Sequence, residues 1–454
     1  MPRAEPPRGG RNTRHTPIAD TLLIRARWTV PVEPAGAVLE DHAVAVRGGK
    51  IAAVLPAAEA AARFAGAEER VLPHHALIPG LVNAHTHAAM VLMRGLSDDL
   101  PLMRWLQEHI WPVEAKHVSP QFVRDGTLLA CAEMLRAGVT CFNDMYFFPE
   151  AAAEAAAAAG MRVALGLIVI EFPTVYASDP DDYLRKGLAL RDRLRERPLV
   201  SFCFAPHAPY TVSDASFHKI ATLAAELDLP VHVHLHETAD EIERSLAEHG
   251  VRPLERLRRL GLVSPNLLAV HAVHLADAEI ELLARHGSSV AHCPSSNLKL
   301  ASGFARVQAL LKGGVNVALG TDGAASNNRL DVLEEMRTAA LLAKAVAGDA
   351  EAMPAHAALH AATLAGARAL GLDGLIGSIE PGKAADLVAV NVAGPELSPC
   401  YKPVSHLVYA AGREHVTDVW IGGEPRVRDG ILLPQALSDL DTRWRIWQNA
   451  LADS

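Results

Sequence analysis

The sequence predicts an α/β fold, a (β/α)8 TIM barrel with a small β-sandwich domain formed from both chain ends. Three observations predict it. Apolar runs of strand length recur near 77–86, 139–144, 162–170, 200–206, 230–236, 267–273, 288–293 and 316–321, with helical stretches between successive runs. Continuous apolar strands alternating with helices argue for a parallel sheet buried on both faces, and eight such units in roughly 300 residues suit a closed barrel. Histidines and carboxylates end four of these runs, and the C-terminal ends of barrel strands are where such folds build their sites. Both chain ends have a different texture, short alternating strands with tight turns.

In chain order, residues 1–16 hold Arg3, Arg8, Arg11 and Arg14 among Pro and Gly and are expected to be a disordered tail. From 17 to 76, the runs at 21–27 and 43–47 alternate, and Gly48-Gly49 before Lys50 reads as a hairpin turn. The same texture returns over 380–435, so 17–76 and 380–435 are expected to form one composite β-sandwich. Residues 77–379 form the barrel. Its helices are expected at 103–136, 149–159, 181–196, 213–227, 239–259, 275–286, 304–313 and about 328–347. The alanine run at 151–159 suits a helix packing closely through small side chains. A C-terminal helix is expected over 436–454.

Composition narrows the function. The chain has 454 residues, half hydrophobic and 21% charged, as in an ordinary soluble globular protein. A formal net charge of −9 and the lack of a Lys/Arg stripe argue against nucleic-acid binding. No run of about eighteen apolar residues exists to span a membrane. The five cysteines are scattered, with no Cys-x-x-Cys spacing, so a disulfide framework and a thiolate metal site are both disfavoured. The absence of a signal-peptide pattern makes the cytoplasm the expected location.

Four segments carry the chemistry: Asn83-Ala-His85-Thr-His87, His232-Val-His234-Leu-His236-Glu237, Ala269-Val-His271 and Gly320-Thr-Asp322-Gly323. Strand side chains alternate, so His85 and His87 point to one side and can share an ion. Imidazole and carboxylate donors suit a divalent first-row ion, Zn2+ with Fe2+ as the alternative. On strand 5, His232, His234 and His236 share one face. His234 is preferred as ligand because Glu237 then lies three residues on, free to reach a water, with His236 the fallback. His271 reads as a ligand or a polariser of that water. Gly320 and Gly323 let the backbone around Asp322 approach closely. Strand 4 ends in Pro206-His207 with no Lys or Glu to bridge two ions, which predicts one metal. His207 is a candidate substrate contact and His292 a weaker pocket candidate; Cys293 reads as filler. The set suits addition of water to an amidine-like C=N carbon with loss of the amino group: Asp322 accepts a proton, Glu237 donates one to a ring nitrogen, His271 stabilises developing charge.

These residues resemble the amidohydrolase superfamily, mononuclear type, over nearly the whole chain. The stretches Leu77-Ile-Pro-Gly-Leu-Val-Asn-Ala-His-Thr-His and Gly377-Ser-Ile-Glu-Pro-Gly-Lys-Ala-Ala-Asp-Leu-Val support it. Asp144-Met-Tyr-Phe, Pro206-His-Ala-Pro-Tyr, Leu319-Gly-Thr-Asp-Gly-Ala-Ala-Ser-Asn-Asn and the segment from Leu100 through Glu114 are similar to the 5′-methylthioadenosine/S-adenosylhomocysteine deaminases. The resemblance implies His85, His87, His234 and Asp322 as metal ligands, and Glu237 and His271 as proton-transfer and polarising groups. It implies Glu114 at the ribose hydroxyls, Trp105 as a wall near the 5′ substituent and His207 at the purine ring. A nucleoside substrate follows, and a homo-oligomer is compatible with it. One departure stands out. Relatives that accept S-adenosylhomocysteine well carry arginines near the third strand, whereas here Ala164-Leu-Gly-Leu-Ile-Val-Ile contains none and the next is Arg185, beyond a long loop. An unpaired buried carboxylate is costly, so the neutral 5′-methylthioadenosine is the expected preferred substrate, giving 5′-methylthioinosine and ammonia, with adenosine and, less well, S-adenosylhomocysteine as secondary substrates.

The alternative on the same barrel is an s-triazine or free-base aminohydrolase or chlorohydrolase. A non-catalytic metal-binding scaffold is more remote, because every expected ligand and Glu237 are present. The segments 95–120 and 171–180 are expected to cover the pocket.

Overall fold

The computed structural model describes residues 21–452, so the expected tail at 1–16 lies outside the described residues. The eight apolar runs form eight strands paired in chain order: Leu81–Thr86, Val139–Asp144, Arg162–Val169, Val200–Pro206, Val231–Leu235, Leu267–His271, Ser289–His292 and Asn316–Leu319. Every pairing is parallel. Side chains on both faces of these strands are buried, one set inside the barrel and the other under the helices, which is why the runs read as unbroken apolar sequence.

The last strand meets the first at a polar seam. Asp322 N–H donates to the His85 carbonyl over 3.1 Å. The Asn83 side chain accepts from Thr321 N–H at 3.0 Å and donates to Thr321 Oγ1 at 2.8 Å. Gly320 makes the approach feasible, since a Cβ there would stand 2.9 Å from the His85 Cβ.

Both chain ends share a second sheet. Its order is Ile431–Leu432, Glu424–Arg428, Val416–Ile421, Leu387–Asn391, Glu68–Pro79, Thr21–Thr29, Leu39–Arg47 and Lys50–Pro56. The two halves join where Leu387–Asn391 pairs antiparallel with Glu68–Pro79. The sheet bends over itself: Ile51 N–H donates to the Lys383 carbonyl, and Ile24, Val44, Ile51, Leu387 and Trp420 share one buried cluster. Gly48 and Gly49 make the expected hairpin turn with φ of 57° and 77°. Arg162 and Asp386 lock the barrel to this sheet through a buried bidentate pair at 3.0 and 3.1 Å. The C-terminal helix Leu440–Leu451 docks on Pro120–Arg136, where Arg443 and Trp447 both donate to Asp125. Among the described residues, no helix is long and apolar enough to cross a membrane.

Three expectations need correction. Residues 77–79, read as the start of the first barrel strand, pair with Leu387–Ala389 in the other sheet, and the chain crosses over at Gly80. A continuous apolar run cannot say which of two sheets it joins. The single helix expected at 103–136 is divided into Leu102–Trp105, a wide π-helical turn Leu106–Ile110, Trp111–His117 and Pro120–Arg136, with Ser119 capping the last. The helix expected at 239–259 is broken after His249, where Gly250 takes φ 69° and Pro253 starts Pro253–Arg259.

Candidate active site

The barrel brings His85, His87, His234, His271 and Asp322 to one point. His85 Nε2 and His87 Nε2 each lie 3.3 Å from Asp322 Oδ1. Donor atoms of His85, His87 and Asp322 lie within 4.8 Å of one another, as do those of His85, His234 and His271, so His85 belongs to both groups. Each ring is oriented through its other nitrogen. His87 Nδ1 donates to the Met145 carbonyl (2.5 Å), His234 Nδ1 to the His207 carbonyl (2.7 Å), and His271 Nδ1 to Asn297 Oδ1 (2.8 Å). His85 Nδ1 faces His232 Nε2 at 2.8 Å. Such outer contacts fix which nitrogen keeps its lone pair for an ion.

The residues fit a divalent cation. His85 Nε2 is buried without a well-directed hydrogen bond, its nearest polar neighbour being Asp322 Oδ1 at 3.3 Å, a costly state that an ion relieves. The donor set, imidazole nitrogens plus one carboxylate, is the chemistry such ions take. Asp322 Oδ2 accepts from Ser296 and Ser326, each at 2.7 Å, and Oδ1 accepts from Gly323 N–H at 2.7 Å. Burial alone would raise the Asp322 carboxyl, but its bonds to His85 and His87 hold it well below the usual carboxylate range. Burial drives His85 down to about 4. Burial also opposes charge on His87, yet the Asp322 carboxylate overrides it and lifts that ring to about 9.

Strand 5 departs from the expected alternation at its end. His236 takes φ 55°, which turns its side chain out of the barrel, where Nε2 accepts from Leu254 N–H at 3.0 Å. His236 therefore does not share the face of His232 and His234, and the fallback ligand lies away from the cluster. The same turn presents Glu237, whose N–H donates to Glu241 at 2.8 Å while its carboxylate lies 3.7 Å from His271 Nε2. Burial pushes the Glu237 carboxyl up, favouring its acid form. His271 (φ 68°) and Asp322 (φ 61°) are likewise left-handed, a strain of about 1–3 kcal/mol each that surrounding hydrogen bonds hold in place.

One cavity opens above the cluster. It is lined by His87, His234, Glu237, His271 and Asp322 at its floor and by Trp105, Glu114, Tyr146 and His207 on its walls. The segment 102–114 thus covers it, with both Trp105 and Glu114 facing inward. Glu114 accepts from Tyr146 O–H at 2.8 Å, and burial lifts its carboxyl to about 7. His207 is pressed down to about 3 by burial, hence neutral, and its Nδ1 pairs with Thr211 Oγ1 at 2.9 Å. A side chamber shares Trp111, Glu114, Phe147, Ile170 and His207 with the main cavity and ends in Phe172, Pro173, Thr174 and Val175. Arg185 does not reach it, being exposed and paired with Asp182.

His292 is buried at the end of strand 7 but does not line the cavity. Cys293 is buried, its thiol pushed up by burial, consistent with filler. Reasoning from residue spacing missed His232, Tyr146, Glu241 and Asn297 as supports of the site. Tyr146 and His232 lie inside recognisable stretches, but their contacts with Glu114 and His85 join segments distant in sequence, as does that of Asn297 with His271.

The amidohydrolase family model matches residues 76–426. A Saccharophagus degradans protein named 5-methylthioadenosine/S-adenosylhomocysteine deaminase is 48% identical over 436 residues, 96% of this chain and 97% of that one. A Teredinibacter turnerae protein of the same name is 48% identical over 94% of this chain and 96% of its own. The crystal structure of an adenosine deaminase from Xanthomonas campestris with bound zinc superposes with a TM-score of 0.93 at 54% identity, covering 95% of this chain and 99% of that one. A triazine hydrolase variant superposes with a TM-score of 0.88 over 95% and 99%, but at 24% identity that likeness is one of fold.

Proposed function

The chain belongs to the amidohydrolase family, and from that membership we propose that its barrel converts 5′-methylthioadenosine and water to 5′-methylthioinosine and ammonia. It is a metal-dependent hydrolase of a C–N bond in a cyclic amidine, acting as a deaminase of adenine nucleosides. The observation that carries the reading is a single cavity whose floor is the His/Asp cluster with Glu237 and whose wall holds Glu114.

In this reading His85, His87, His234 and Asp322 hold one divalent ion, Zn2+ rather than Fe2+. When bound, the ion supplies Lewis acidity that lets water lose a proton near neutral pH. Asp322 accepts that proton, Ser296 and Ser326 keeping its carboxylate aligned. Glu237, biased to its acid form by burial, protonates the purine ring nitrogen beside the carbon under attack. His271, steered by Asn297, stabilises the charge that develops there. Asp322 returns its proton to the amino group, which leaves as ammonia while the hydroxyl proton on the attacked carbon passes to Glu237, restoring its acid form and leaving the carbonyl. Glu114 takes the ribose hydroxyls, Trp105 walls the 5′ side and neutral His207 meets the purine.

Preference for a neutral 5′ substituent rests on the side chamber. Phe172, Pro173, Val175, Trp111 and Ile170 give it apolar walls beside Glu114, Thr174 and neutral His207, and Arg185 is engaged elsewhere. A methylthio group fits such walls, whereas an amino-acid carboxylate finds no cationic partner among the lining residues. Ammonia release from zinc-loaded protein with 5′-methylthioadenosine, S-adenosylhomocysteine, adenosine and melamine in parallel tests the assignment. Fast turnover of 5′-methylthioadenosine with slower S-adenosylhomocysteine is expected. Turnover of melamine alone would replace the nucleoside reading with the free-heterocycle one, and equal turnover of both thio-nucleosides would remove the preference.

A further inference from the structure

His85 is anchored unlike the other imidazoles of the cluster. His87, His234 and His271 each direct Nδ1 at an oxygen, from Met145, His207 and Asn297 respectively. His85 directs Nδ1 at another imidazole, His232 Nε2, and both side chains are fully buried inside the barrel. An imidazole nitrogen can donate or accept, so this pair has two proton arrangements where the carbonyl-anchored His87 and His234 have one.

The two arrangements differ in what they do to the centre. If His232 Nε2–H donates, the His85 proton must sit on Nε2, between His85 and Asp322 Oδ1, and no lone pair faces the cluster. If His85 Nδ1–H donates, the lone pair of Nε2 faces the cluster. The second arrangement puts the His232 proton on Nδ1, which is buried with no hydrogen-bond partner. An unpaired buried N–H is unfavourable for folding, and an apolar side chain at 232 would avoid it. In that arrangement the position favours metal retention over stability.

Resting on the ligand set proposed above, we propose that His232 is a positioning residue whose Nε2 accepts from His85 and so fixes His85 as a metal ligand.

The test uses the full chain, stripped of metal, in His232→Met, His232→Gln and His85→Ala. Zinc affinity is read by competition with a chromogenic chelator, the ligand field by Co2+ absorption, and folding by the melting temperature of the metal-free protein. His232→Met is expected to bind zinc about ten- to a hundredfold more weakly and to shift the Co2+ bands. Its metal-free melting temperature should match or exceed that of the parent. His232→Gln, whose amide oxygen can accept from His85, should recover most of the affinity. Zinc affinity and Co2+ bands unchanged in His232→Met overturn the proposal. So does a His232→Gln protein that folds like the parent yet binds zinc as weakly as the Met variant. His85→Ala separates the two readings: zinc retained by it overturns the ligand set, whereas zinc lost by it and kept by His232→Met overturns only the role of His232.

Discussion

Asp322 touches His85 twice: its backbone N–H donates to the His85 carbonyl over 3.1 Å, and its carboxylate oxygen lies 3.3 Å from His85 Nε2. The first contact closes the barrel between its last and first strands. The second places a negative charge beside two imidazoles. The same residue pair therefore both closes the barrel and builds the site.

The seam gives the first prediction. Asn83→Ala removes both side-chain bonds to Thr321 and leaves its N–H unsatisfied, at a loss of about 1–3 kcal/mol. Melting temperature and zinc affinity should fall together, since Thr321 precedes Asp322. A lower melting temperature with undiminished zinc affinity would separate closure from the site.

Glu237→Gln keeps the shape of the side chain and removes its transferable proton. We expect kcat to fall by about 10²–10⁴ with the metal content unchanged, as read by steady-state kinetics and elemental analysis. Near-parental kcat would move the proton-transfer role to another group.

Zinc uptake should release a proton. His87, lifted to about 9 by Asp322 against the opposing effect of burial, is protonated at neutral pH without metal and must deprotonate to ligate. Its folded value lies above the unfolded 6.5, so its stabilisation of the metal-free protein is full below 6.5 and lost as pH rises through about 9. Zinc affinity should rise over the same window. Calorimetry in buffers of different ionisation enthalpy would read about one proton per ion, and none released would contradict His87 as the protonated ligand.

Glu114 should make substrate affinity pH-dependent. With its carboxyl lifted to about 7 by burial, it ionises across neutrality and then accepts from two hydroxyls rather than one. The KM for 5′-methylthioadenosine should fall as pH rises through about 7, and Glu114→Gln should raise KM and flatten the profile. A flat profile in the parent enzyme would remove Glu114 from ribose binding.

A cation added to the side chamber should change the substrate preference. Val175→Arg puts a guanidinium among Phe172, Pro173 and Trp111. kcat/KM for S-adenosylhomocysteine should rise about tenfold relative to 5′-methylthioadenosine, the worth of one charged hydrogen bond. An unchanged ratio would place the 5′ substituent outside this chamber.

Local pattern carried far in this chain. Strands buried on both faces must be apolar throughout, so the eight barrel strands were readable as runs, and a strand end must bring ligands to one side, so His85 and His87 were readable as a pair. The resemblance added Glu114 and Trp105, which on spacing alone pass as ordinary helix residues. Alternation places His236 on the face of His232 and His234, because the left-handed backbone that turns it away leaves no mark on the pattern.

By itself the sequence determined the alternation of strand and helix, the motif histidines and the lack of an arginine between Ala164 and Arg185. Tertiary structure alone decided that 77–79 leaves the barrel, that the seam joins Asp322 to His85, and that His232 backs His85. Periodicity records only which side of an element is buried. Which residues share a hydrogen bond depends on closure, and closure brings together atoms more than a hundred positions apart, such as His85 with His232 and Asp322.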